Sequence, residues 1–81
     1  MTSKIFDVII EELKQKYPHG GKFSKKAFLK VLHDLLAERN IKSLQSLYNY
    51  YTLLKIKDVI KEKEEEGIIY VYLNINLEKN E

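Results

Sequence analysis

Apolar residues recur at helical spacing from the start of the chain. Over residues 4–17, Ile5, Phe6, Ile9, Ile10, Leu13 and Tyr17 fall on one stripe, with Glu11 and Glu12 opposite. Thr2 or Ser3 is placed to cap the first turn. Pro18 ends the helix, because proline disfavours helical geometry in the residue before it. His19-Gly20-Gly21 then reads as a turn, and Lys22-Phe23 has room only for a strand of two or three residues. Ser24 caps a second helix over residues 25–39, where Ala27, Phe28, Val31, Leu32, Leu35 and Leu36 form a broad apolar face. Asn40 is a plausible left-handed terminator, and Ile41 can fold back onto the helix.

A third helix opens at the capping residue Ser43, with Leu44, Leu47, Tyr51 and Leu54 pointing inward. Continued to Gly67, it would carry a second apolar face of Leu53, Ile56 and Ile60. Either the helix breaks near Lys55–Asp58, with Asp58 capping a fourth segment, or that face meets a partner chain. The pattern leaves both open. The helical stretch is expected to end at Glu64-Glu65-Glu66-Gly67, with Gly67 as its stop. Residues 68–77 alternate, with Ile69, Val71, Leu73, Ile75 and Leu77 on one face and Tyr70, Tyr72, Asn74 and Asn76 on the other, the signature of a strand. Lys22-Phe23 can pair with only a few of these residues. A second copy of the strand, antiparallel about a two-fold axis through Ile69, Val71, Leu73 and Ile75, would satisfy the rest. A frayed tail beyond residue 74 is the alternative.

Eighty-one residues without repeats or linkers make one domain, 1–81, of α+β class and mostly helical: three to four helices, a short strand and one long C-terminal strand. The absence of cysteine excludes disulfides and thiolate chemistry. No stretch is long and apolar enough for a membrane span, and the start lacks a secretory pattern, so an intracellular, cytoplasmic protein is expected. Formal net charge is only +2, yet residues 14–57 hold ten basic residues against two acids, a net of +8. From residue 58 onward three lysines face seven acids, a net of −4. Such division points to a polyanionic partner on the basic part, or else reflects a lysine-rich composition. His19 and His33 have no neighbours at metal or triad spacing, and Gly20-Gly21 is a turn rather than a phosphate loop. No enzyme, cofactor, metal or small-molecule substrate is expected.

The order helix, short strand, helix, turn, helix, strand resembles a winged helix-turn-helix DNA-binding domain over about residues 4–73. The likeness is carried by Asn40, Ile41 and Ser43 in the turn, by Ser46-Leu47-Tyr48-Asn49-Tyr50-Tyr51 as a recognition-helix segment, and by Glu64-Glu65-Glu66-Gly67-Ile68-Ile69 as the run into a wing. It departs from the family in having Asn40 for the usual glycine, Lys63 for a leucine, and no third wing strand. In size and composition the chain looks most like small winged-helix proteins of viruses and plasmids of thermophilic archaea. The resemblance implies a homodimeric transcriptional regulator that binds double-stranded DNA in sequence-specific fashion. Gln45, Ser46 and Asn49, with Tyr50 beside them, would face the major groove, where Gln and Asn can pair with adenine. Ser43 would offer the helix N-terminus, and Lys22, Lys25, Lys26 and Lys42 would grip phosphates. The alternatives are a protein-interaction module using Leu53, Ile56 and Ile60, and a single-strand binder stacking bases on Tyr70 and Tyr72.

Overall fold

Ser24 and Ser43 mark the two helix starts that organise the molecule. Each takes extended backbone geometry, and each hydroxyl accepts the amide three residues on, from Ala27 at 3.2 Å and Ser46 at 3.0 Å. The computed structural model describes residues 4–74. In order the elements are α1 (Lys4–Lys16), β1 (Gly21–Ser24), α2 (Lys25–Ala37), α3 (Leu44–Ile56), β2 (Ile60–Glu65) and β3 (Ile68–Leu73). Three helices and a three-stranded antiparallel sheet of order β1-β3-β2 result. The cap expected at Thr2 or Ser3 lies outside the described residues.

Helices α2 and α3 end by the same device. Asn40 has φ 63°, with its amide on the Ala37 carbonyl at 3.0 Å and the Ile41 amide on Leu36 at 3.0 Å. Asp58 has φ 61°, its amide on Lys55 at 3.0 Å and that of Val59 on Leu54 at 2.9 Å. Both are left-handed stops that satisfy the last helical carbonyls. Asp58 thus ends α3 rather than capping a fourth helix. The expected continuation to Gly67 is replaced by strand β2, which turns at Glu66-Gly67 into β3.

That turn has φ 54° at Glu66 and 81° at Gly67, with Glu65 paired directly to Ile68. Positive φ at both positions of a two-residue loop matches the right-handed twist of a hairpin. The sheet therefore has a third strand, where the sequence pattern predicts only two. Lys63, opposite Tyr70, lies on a strand and has no helix turn to bury. At Gly20 (φ 79°) a Cβ would come within 2.6 Å of the Leu73 carbonyl oxygen, so only glycine lets the chain enter β1 this close to β3.

The helical stripes and one sheet face enclose the core. Phe6, Ile9 and Leu13 of α1 meet Phe28, Leu32, Leu35 and Leu36 of α2 and Leu47, Tyr51 and Leu54 of α3. Ile60, Val71 and Leu73 close it from the sheet. A chain of rings from Tyr17 through Phe23 and Phe28 to Tyr51, with centroids 5.0, 5.6 and 6.1 Å apart, ties β1 to both helices. Arg39 pairs with Glu12 and donates to the Leu35 carbonyl at 2.9 Å, clamping α2 onto α1. Ala27 and Leu44, expected inside, are exposed.

The strand seam expected between two copies loses its basis. β3 is the central strand, hydrogen-bonded on both sides, so it offers no free edge. Val71 and Leu73 are 0% and 5% exposed within the protomer, and Ile69 is 39% exposed. Ile75 lies outside the described residues.

Candidate nucleic-acid interface

Burying Leu47, Tyr51 and Leu54 turns the opposite side of α3 outward. Gln45, Asn49 and Thr52 are exposed there, and their side chains form no hydrogen bond among the described residues. Ser43 and Ser46 are committed locally. Ser43 accepts the Ser46 amide, and the two hydroxyls lie 3.0 Å apart. Of Gln45, Ser46 and Asn49, it is Gln45 and Asn49 whose side chains keep their full hydrogen-bonding capacity.

Tyr50 does not stand outward beside Gln45 and Asn49 as expected. Tyr50 lies between Leu47 and Leu54 on the flank toward α1, half-buried, its ring stacked on Phe6 at 6.4 Å. Tyr48 is 50% exposed. A shallow groove brings Tyr48 together with Lys25 and Lys26 at the start of α2 and with Gly67, Ile68 and Ile69 of the hairpin. The hairpin contribution was invisible while residues 60–66 read as helix; the positive-φ potential of Gly67 was its one signal.

The four candidate lysines divide. Lys26 and Lys42 are exposed and form no ion pair among the described residues. Lys25 lies 3.6 Å from the Glu62 carboxylate and 5.4 Å from the Tyr51 ring. Lys22 belongs to a different surface. Its ammonium lies 4.4 Å over the Tyr70 ring and 3.0 Å from Glu65, on the sheet face away from the core. Tyr72 donates to the same Glu65 carboxylate at 2.7 Å. The hydrogen bonds from Tyr72 and Lys22 hold the Glu65 carboxyl below the ordinary carboxylate value.

Glu62 is the hub between sheet and helices. It accepts the Tyr51 hydroxyl and lies 3.6 Å from both Lys25 and Lys55. The Tyr51 hydrogen bond first, then the two ammonium charges, lower its pKa below 4.5. Burial first, then the same carboxylate, raises that of Tyr51. Because the folded pKa of Glu62 is depressed, its contribution to stability is complete above the ordinary value and is lost as pH falls through the lowered one. Glu62→Gln is expected to lower stability at pH 7 by about 0.5–1 kcal/mol, a modest figure because the site is partly exposed. Urea midpoints taken from pH 7 to pH 3 should converge for the two proteins. A constant gap would exclude this role for the carboxylate.

The hairpin tip is acidic, with Glu64 and Glu66 exposed and without ion pairs among the described residues. No helix among the described residues is long and apolar enough to cross a membrane. The chain matches no protein-family model, no curated protein and no solved structure.

Proposed function

We propose that this chain is a winged helix-turn-helix protein that reads double-stranded DNA with α3 and regulates transcription. The order α1-β1-α2-α3-β2-β3 with sheet order β1-β3-β2 supports that architecture, with α2 and α3 as the helix pair and the Glu66-Gly67 hairpin as the wing. The observation that carries the reading is the outward face of α3. Gln45 and Asn49 stand exposed on one side of a helix whose other side is anchored in the core. Such a helix fits the major groove, where amide side chains pair with adenine edges. Lys26 and Lys42, near the starts of α2 and α3, supply free cations for phosphate.

Selection of bound duplexes from a random pool tests the reading directly. Asn49→Ala or Gln45→Ala should cost about 1–3 kcal/mol on the selected site and much less on unrelated duplexes. An equal loss on every sequence would remove the base-reading role. Binding as a homodimer would set half-sites about 34 Å apart, through a seam other than β3. Sedimentation with and without the selected duplex gives the number of copies.

A second reading has its own observation. Leu53 and Ile56 on α3 are 38% and 67% exposed, which suits a protein-interaction surface. No retardation of mixed duplex DNA by micromolar protein at low salt would favour it.

A further inference from the structure

We infer that the outer face of the sheet is a separate binding site for single-stranded nucleic acid, with bases stacking on Tyr70 and Tyr72. Both tyrosines lie on the central strand and, by strand alternation, point away from the buried Val71 and Leu73. In register, Lys22 of β1 and Lys61 of β2 flank Tyr72, while Lys63 of β2 flanks Tyr70. An aromatic pair therefore runs down the middle of the face with ammonium groups on both sides. The only acid on this face among the described residues is Glu65, already engaged by the Tyr72 hydroxyl and Lys22.

This charge pattern selects the occupant. A protein partner would have to bury three lysines around the tyrosines, and lysine is depleted at interface cores. A duplex hides the base faces that a tyrosine can stack on. A single strand offers both unstacked bases and phosphates, and aromatic residues beside a cationic track are how such strands are held without sequence preference. Lys22 now lies over Tyr70 as an exposed cation–π contact. That contact and the 3.0 Å pair with Glu65 are both weak at side chains open to solvent, so a phosphate can draw the ammonium off the ring while Glu65 keeps its bond from Tyr72.

The test uses the full chain with labelled oligothymidylate and oligouridylate, the two sugars distinguishing DNA from RNA, read by fluorescence anisotropy at low salt. Tyr70→Leu/Tyr72→Leu is expected to weaken binding by roughly tenfold or more per stacked base. Affinity for the selected duplex should stay unchanged. Asn49→Ala should do the opposite, so the failure of either site is seen separately. Should the double tyrosine variant not fold, Lys61→Ala/Lys63→Ala at exposed positions replaces it. It should lower the slope of log affinity against log salt by about 1.4 on single strands. Absence of single-strand binding by the native chain overturns the inference. So does binding that these variants leave intact, or loss that strikes duplex and single strand alike.

Discussion

Phe28→Ala is expected to destabilise the protein by about 3–5 kcal/mol, a large fraction of what a chain of this length has. At about 0.05–0.15 kcal/mol per residue, the total is about 4–12 kcal/mol. The Phe28 side chain is fully buried, and its ring lies between Phe23 of β1 and Tyr51 of α3. Truncation leaves a cavity where the sheet, the capped start of α2 and the middle of α3 converge, and none of these can move inward without breaking its own pairing. Tyr51 also carries the hydroxyl bonded to Glu62, so the loss spreads to the contact between α3 and β2. Urea denaturation followed by circular dichroism measures it. A loss below about 1 kcal/mol would mean that the ring is not the keystone its burial indicates. Duplex binding should fall with stability and return on cooling, because Phe28 touches no proposed DNA contact.

The parts of this fold that were legible from the residues are those in which local chemistry and tertiary packing agree. Helices α1 and α2 carry strong 3.6-residue stripes, Ser24 and Ser43 are capping residues, and Asn40 is suited to positive φ. Each of these took the expected place. Strand β3 was equally plain, because its alternation of aliphatic and tyrosine residues survives in the sheet.

The segment Ile60-Lys-Glu-Lys-Glu-Glu is the instructive failure. Its residues favour helices in isolation and show no apolar alternation, so nothing local argues for a strand. It becomes one because Ile60 enters the core and Glu62 finds Tyr51, Lys25 and Lys55, while β3 pairs with it along its inner edge from Ile60 to Glu65. Those gains are non-local and cannot be seen in a window of ten residues. The same miss concealed the hairpin and Tyr48 beside it. Missing β2 also made β3 look unpaired, and that false edge was the whole basis for the expected dimer seam. For the site, the helical pattern anticipated that Gln45 and Asn49 stand exposed on α3. Residue type could not separate Lys22 from Lys25 and Lys26, since one residue of strand alternation sends Lys22 to the opposite face of the sheet.

Lys26→Glu/Lys42→Glu should lower affinity for duplex DNA on the order of 10²-fold at 0.1 M salt, for all sequences alike. Each phosphate contact contributes about 0.9 to the slope of log affinity against log salt, so losing two should lower that slope by about 1.8. Stability should hardly change, because both side chains are exposed and unpaired among the described residues. The acidic hairpin strengthens the test. With Glu64 and Glu66 at its tip, the hairpin cannot compensate for lost phosphate contacts, as a basic one would. Lys22→Ala is the matched control, removing a lysine from the same basic segment but from the outer face of the sheet. Its duplex affinity and slope should equal those of the native chain. If Lys22→Ala weakened duplex binding while the double variant did not, the polyanion would be meeting the sheet rather than α3, and the proposed docking geometry would have to be abandoned.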